Sequence, residues 1–195
     1  KALDEFTLAW YEDMIPWQFV DQWKMLKNRV DTPVSTGEDI YCKEGFEPLV
    51  DARAISVAHP DLATSGGILE TKRIADYCRD AGIGVALHQA GSPVVAMANV
   101  HCALTIENFI ALEMHSVDNP WWNDIVNLVG QDGPMIKSGY VTVTDAPGLG
   151  VELNEDAIKD HLAESSNRRY EIYPKGVFEE TSEWDDLDAH DRVWS

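Results

Sequence analysis

The chain has 195 residues, 45% of them hydrophobic and seven of them Trp, enough apolar material for one sizeable core and too much for a disordered chain. Its formal net charge of −19 argues against duplex nucleic acid as a partner, because binding it needs Lys and Arg to displace counterions. No apolar run reaches the roughly 18 residues that a membrane span requires, so no membrane is implied.

Leu8–Met14 reads as a strand. Trp17–Val30 has helical spacing, with Phe19, Val20, Trp23, Leu26 and Val30 recurring along one face. Pro33–Thr36 is a short strand, Gly45–Ala52 a short helix and Ile55–His59 a strand. Gly67–Ala81 reads as a helix with Ile68, Ile74, Ala75 and Cys78 on one face and Gly82 as its stop. Gly84–His88 is a strand, Ser92–Ile106 a helix with Ser92 as N-cap and Pro93 in its first turn, and Phe109–Met114 a strand. Short apolar strands alternating with helices are the pattern of βα units around a parallel sheet, an α/β fold.

After Pro120 the character changes. Gly139–Thr144 reads as a strand, Ala146-Pro147-Gly148-Leu149-Gly150 as a turn-rich loop and Asn154–Ala163 as a helix capped by Asn154. The polar and aromatic residues that follow, rich in Asp and Glu, read as an ordered arm that wraps a surface. Lys1–Trp10 lacks the basic stretch and apolar core of a signal peptide. Cys42, Cys78 and Cys102 are far apart with no C-x-x-C spacing, so reduced thiols in a cytoplasmic protein are expected.

A repeat of position runs through these elements. Each strand ends in, or is soon followed by, a residue able to do chemistry: Glu12, Glu38, Asp61, His88 and Glu113, at intervals of 26, 23, 27 and 25 residues. That is the length of one βα unit, and a parallel barrel brings the C-terminal ends of its strands to one face, where active sites lie. Several carboxylates gathered there need a cation, and an oxygen-rich set favours Mg²⁺. His101, within an apolar helix, reads as a packing residue. His59, before Pro60 at a strand end, reads more readily as packing than as part of the pocket. Trp121-Trp122 reads as packing of the barrel rim in preference to a ligand cover. Ser65-Gly66-Gly67 opens a helix whose N-terminus offers an anion site, although close helix–strand packing explains it equally well.

Trp10-Tyr11-Glu12-Asp13, Thr36-Gly37-Glu38, Pro60-Asp61-Leu62 with Gly66-Gly67-Ile68, His88 and Leu112-Glu113 together resemble the mandelate racemase branch of the enolase superfamily. Ala146-Pro147-Gly148-Leu149-Gly150-Val151-Glu152 resembles that family's closing segment, and Glu183-Trp184 with Asp191-Arg192-Val193-Trp194-Ser195 resembles the tails of its acid-sugar dehydratases, galactonate-type enzymes among them. The likeness runs from about residue 3 to the end, and the ordered set carries it.

The resemblance implies the C-terminal portion of a (β/α)7β barrel of the TIM type. Residues 1–120 would supply barrel strands four to eight, and residues 121–195 a segment packing on the barrel and on a capping domain. It implies Glu12 and Glu38 as Mg²⁺ ligands, His88 as the base that takes the proton beside a carboxylate, Asp61 as its orienting partner and Glu113 as the acid on the substrate side. The reaction implied is the dehydration of an acid sugar, an aldonate or aldarate, through a metal-stabilised enediolate to a 2-keto-3-deoxy acid. A racemase, epimerase or cycloisomerase of the same superfamily is the alternative, and a noncatalytic binding module a further one. The second residue of the fourth-strand motif, Asp13, replaces the Glu of many relatives and is expected to alter only the neighbouring wall. The family's capping domain, first three strands, first metal ligand (an Asp on the third strand) and second-strand or third-strand acid/base have no counterpart here. The chain is therefore expected to be a fragment, inactive alone, with two bare sheet edges, that needs the missing N-terminal half; the resemblance also favours a homo-oligomer.

Overall fold

Five short strands lie side by side in chain order: β1 (Tyr11–Glu12), β2 (Val34–Thr36), β3 (Val57–Ala58), β4 (Gly84–Leu87) and β5 (Phe109–Leu112). The computed structural model describes residues 3–161, and within it every neighbouring pair of these strands is parallel. Parallel neighbours cannot be joined by a tight turn, so each connection crosses back through a helix. The crossovers are α1 (Val20–Lys27), α2 (Cys42–Asp51), α3 (Leu62–Ser65) followed by α4 (Ile68–Asp80), and α5 (Pro93–Ala103).

The main core lies between one face of the sheet and α1, α2 and α4. Trp23, Phe46, Leu49, Ile74, Ala75 and Cys78 from the helices meet Val34, Ala58, Val85 and Leu87 from the strands, all buried. Burial pushes the Cys78 thiol up to about 12 and the Cys102 thiol up to about 11, so both behave as packing groups.

Helix α5 buries residues on all sides: Ala98 and Cys102 join the main core, while Ala96, Met97 and Val100 join a second core with Trp122, Val126 and Met135. A helix apolar all round has to be covered on all sides, and the segment after β5 provides the second cover. That segment contains β6 (Val126–Leu128), β7 (Ile136–Lys137), β8 (Tyr140–Val141), β9 (Val151–Leu153) and α6 (Glu155–Asp160), which is capped by the Asn154 side chain on the Ala157 N–H. β6 pairs antiparallel with β9 and β7 with β8. Ser138 and Gly139, both at positive φ, make the two-residue turn between β7 and β8, as a tight right-twisted hairpin requires.

All nine main helices and strands expected before Pro120 are present, eight of them shorter than expected. Leu8–Met14 narrows to Tyr11–Glu12, because Leu8 and Met14 stand exposed and only the central pair finds a neighbour in β2. The helix expected at Gly45–Ala52 begins earlier, at Cys42. Gly139–Thr144 contributes only Tyr140–Val141, as one arm of a hairpin, because its partner β7 is itself two residues long. β6, β7, β9 and α3 carried no expectation. β1 and β5 are the outer strands of the sheet, and Ile110 of β5 is exposed. No helix among the described residues is long and apolar enough to cross a membrane. The end of the helix expected at Asn154–Ala163, the expected arm and the Glu183-Trp184 and Asp191–Ser195 motifs lie outside the described residues.

Candidate active site

Glu12 is the last residue of β1, Glu38 follows β2, Asp61 follows β3, and His88 and Glu113 come directly after β4 and β5. Parallel pairing in chain order puts all five at the same edge of the sheet, and the structure brings their side chains together. His88 is the hub: its Nδ1 lies 2.8 Å from Asp61 Oδ2, and its Nε2 lies 3.3 Å from Glu38 Oε2 and 3.5 Å from Glu113 Oε2. A carboxylate beside Nδ1 holds the hydrogen on that nitrogen, so Nε2 is the one turned toward the carboxylates.

Asp61 is held from both of its oxygens. Oδ1 accepts the Ala63 and Thr64 N–H groups at 2.7 and 3.0 Å as the N-cap of α3, while Oδ2 faces His88. Asp61 and His88 also form a parallel bridge, which extends the β3–β4 pairing to the site itself. Burial pulls the Asp61 carboxyl upward, but the His88 hydrogen bond and the two N–H donors outweigh it and hold it below its ordinary value. Burial pulls His88 downward, but Asp61, Glu38 and Glu113 outweigh it and raise the imidazole. Burial pushes Glu38 and its neighbour Asp39 up, against the pull of His88.

Beside this hub, ligand atoms of Glu12, Asp13 and Glu38 lie within 4.8 Å of one another. Asp13 thus stands beside the two expected ligands as well as beside the wall. It follows Glu12 at φ +45°, a left-handed conformation that Asp tolerates, and this breaks the strand alternation that would turn adjacent side chains to opposite sides. Asp13 keeps an exposed surface, yet desolvation raises its carboxyl, opposed by a hydrogen bond from Thr36. Gly37, at φ +147°, lets the chain turn from β2 into Glu38 close against β3, where a Cβ would stand 2.7 Å from the Phe46 ring and 3.0 Å from the His59 backbone.

His59 is part of this assembly after all. It is 1% exposed, with Nε2 3.6 Å from both Glu12 Oε2 and Glu113 Oε2. Its position one residue past β3, between Ala58 and Pro60, was the available signal, but a His beside apolar residues carries no mark of the direction it faces. His101 is half-buried and bonds the Leu149 carbonyl at 3.2 Å, away from the hub. Trp122 is buried in the second core and donates to the Gly91 carbonyl, whereas Trp121 stacks on His161. At Ser65-Gly66-Gly67 the Ser65 hydroxyl is taken by Thr71 and Glu70 stands in the first turn of α4, which disfavours an anion; a Cβ at Gly67 would meet nothing and one at Gly66 only Glu70, so close helix–strand packing does not account for these glycines, whereas their positive φ does.

A family model described as Enolase C-terminal domain-like matches residues 1–157. The chain belongs to the Enolase C-terminal domain-like family. A D-xylonate dehydratase from Haloferax volcanii is 35% identical over 164 residues, covering 84% of this chain and 39% of that protein. A D-galactonate dehydratase family member from Salmonella virchow is 34% identical over 157 residues, covering 80% of this chain and 36% of that protein. A crystal structure of a mandelate racemase/muconate lactonizing enzyme-like protein from Rubrobacter xylanophilus matches with a TM-score of 0.79 at 36% identity, covering 85% of this chain and 41% of that one. The enolase-like chain therefore spans about two fifths of the length of these relatives, and its five parallel strands correspond to the C-terminal part of their barrel.

Proposed function

We propose that this enolase-family chain carries the C-terminal half of the active site of a Mg²⁺-dependent acid-sugar dehydratase, a carbon–oxygen lyase. The observation that carries the reading is the His88–Asp61 pair at 2.8 Å, with Nε2 facing the carboxylates on the C-terminal edge of a parallel sheet. Relatives named as dehydratases of sugar acids support the substrate class.

The chain's own residues divide the work. Asp61, locked by α3, fixes the His88 tautomer and orientation and raises its basicity, which leaves Nε2 to take the proton beside the substrate carboxylate. As that C–H bond breaks, a double bond forms to the neighbouring carbon, whose hydroxyl leaves as water with a proton from an acid. The resulting enol tautomerises to the 2-keto-3-deoxy acid. Glu113, which receives the Gln89 N–H at 3.4 Å, is the acid on the substrate side. Glu12, Asp13 and Glu38 form an all-oxygen set that fits a hard divalent cation, and Glu12 and Glu38 are the ligands we assign. Mg²⁺ held there supplies positive charge beside the substrate carboxylate, without which its neighbouring proton is too weakly acidic for an imidazole.

The full-length protein, loaded with Mg²⁺ and given a panel of aldonates and aldarates, is expected to form a keto acid from at least one. Absence of turnover on every acid sugar, with metal binding verified, overturns the reading. His88→Asn is expected to abolish exchange of the α-proton with solvent deuterium while leaving Mg²⁺ affinity unchanged; persistent exchange would put the base elsewhere.

A further inference from the structure

Buried polar atoms nearly always have a hydrogen-bond partner. Among the described residues, His59 Nε2 is sealed from solvent and has none. The other ring nitrogen, Nδ1, lies 3.0 Å from the Ala86 carbonyl oxygen. A carbonyl only accepts, so Nδ1 carries the hydrogen in that bond. Nε2 is aimed between Glu12 Oε2 and Glu113 Oε2, each 3.6 Å away. That separation is too long for a hydrogen bond, whichever atom holds a proton. Both carboxylates have other donors, Glu12 the Trp10 indole N–H at 2.7 Å and Glu113 the Gln89 N–H at 3.4 Å. The ring also meets two others, His88 edge-on at 5.4 Å and Trp10 tilted at 6.1 Å between centroids. The surroundings of Nε2 thus supply acceptors but no donor within reach.

The floor beneath it has a second atom of this kind. The Ser35 hydroxyl is also sealed and without a partner. Ser35 pairs in register with Glu12 on one side and Val57 on the other, and His59 is two residues beyond Val57, so the strand period puts all of them on one face of the sheet. Glu12 and Glu113 cover His59 with side chains that are each 34% exposed, so the cover over Nε2 is itself open to an incoming group.

We propose that His59 is a ligand-binding residue whose Nε2 accepts a hydrogen bond from a hydroxyl of the substrate, seated between Glu12 and Glu113. The inference rests on the acid-sugar reading above and sharpens it, because it ties recognition to one O–H group of a polyhydroxy acid. A water has the same donor chemistry, and the test separates the two.

In the full-length Mg²⁺-loaded enzyme, KM, kcat and equilibrium binding are measured for an aldonate that it turns over and for each monodeoxy analogue. The variants are His59→Phe, which fills the space without an acceptor, and His59→Gln, whose amide oxygen reaches the place of Nε2. His59→Phe is expected to weaken binding of the parent aldonate about tenfold, the worth of one buried hydrogen bond, with a smaller change in kcat. One monodeoxy analogue should suffer the same loss in the wild type and no further loss in His59→Phe, and His59→Gln should recover part of the affinity for the parent alone. Equal loss for the parent and every analogue, as expected if His59 holds a water or only shapes the floor, overturns the proposal, as does no loss at all. If His59→Phe fails to fold, His59→Asn, whose amide ends short of the Nε2 position, carries the same comparison. A wild type that turns over no acid sugar instead removes the dehydratase reading, and this inference with it.

Discussion

Asp61 does two jobs with its two oxygens, capping a helix with one and orienting His88 with the other. A short side chain fixed by two backbone N–H groups loses little freedom when it binds a third partner, which is why a helix cap makes a rigid support for a base. Without metal, His88 should titrate above the ordinary imidazole value of 6.5, because Asp61, Glu38 and Glu113 surround it. Asp61→Asn is expected to lower that midpoint, read from the imidazole proton resonances of the full-length protein; an unmoved midpoint would show that the pair does not couple. Glu38→Gln is expected to weaken Mg²⁺ binding as measured by calorimetry, and a comparable loss in Asp13→Asn would make Asp13 a third ligand, while an unchanged affinity would leave it a neighbour of the cation.

At the scale of elements, the strands are short and the close contacts around them do the positioning. β2 turns into Glu38 through Gly37, whose missing Cβ leaves room for the Phe46 ring of α2 and for the backbone of β3. Gly37→Ala is expected to cost about 1–3 kcal/mol, since it overpacks that contact and strains a positive-φ position, and denaturant unfolding of the full-length protein measures it. Because the strain falls between β2 and β3, the same variant should also disturb Glu38 and weaken Mg²⁺ binding. The alternation of βα units was legible because α1 and α4 carry an apolar face, α5 opens an apolar stretch with a Ser-Pro cap, and β3, β4 and β5 lie in short apolar runs. The small strands of the C-terminal segment were not, since pairs such as Ile136–Lys137 and Tyr140–Val141 are too brief to show a period.

At the scale of the whole molecule, the site concentrates several carboxylates in a protein already at −19 net charge. The linkage follows from the direction of each shift. Asp61, held below its ordinary 3.8, adds stability that is present above that pH and is lost as the pH falls through its folded value. His88, held above 6.5, adds stability that is complete below that pH and disappears as the pH rises through its folded value. Asp13, Glu38 and Asp39 are raised from 3.8, 4.5 and 3.8, so the folded state keeps their protons longer and loses stability as the pH rises through their folded values. The site's contribution is therefore greatest in mild acid and declines toward neutral pH in metal-free protein. Thermal unfolding of the full-length protein with and without Mg²⁺ checks this: added Mg²⁺ should raise the midpoint more at neutral pH than in mild acid. The opposite ordering would argue against a cation among these carboxylates.

By itself, the sequence determined the order of strands and helices, the parallel α/β class and the five strand-end residues, because a parallel sheet turns a regular spacing along the chain into a shared edge in space. Two things depended on tertiary structure. The left-handed turn at Asp13 carries a second carboxylate to Glu12 and Glu38, and the packing around His59 leaves one ring nitrogen sealed and unpartnered between two acids. Neither is written in residue type or period, because both follow from the direction in which a side chain points once its neighbours close around it.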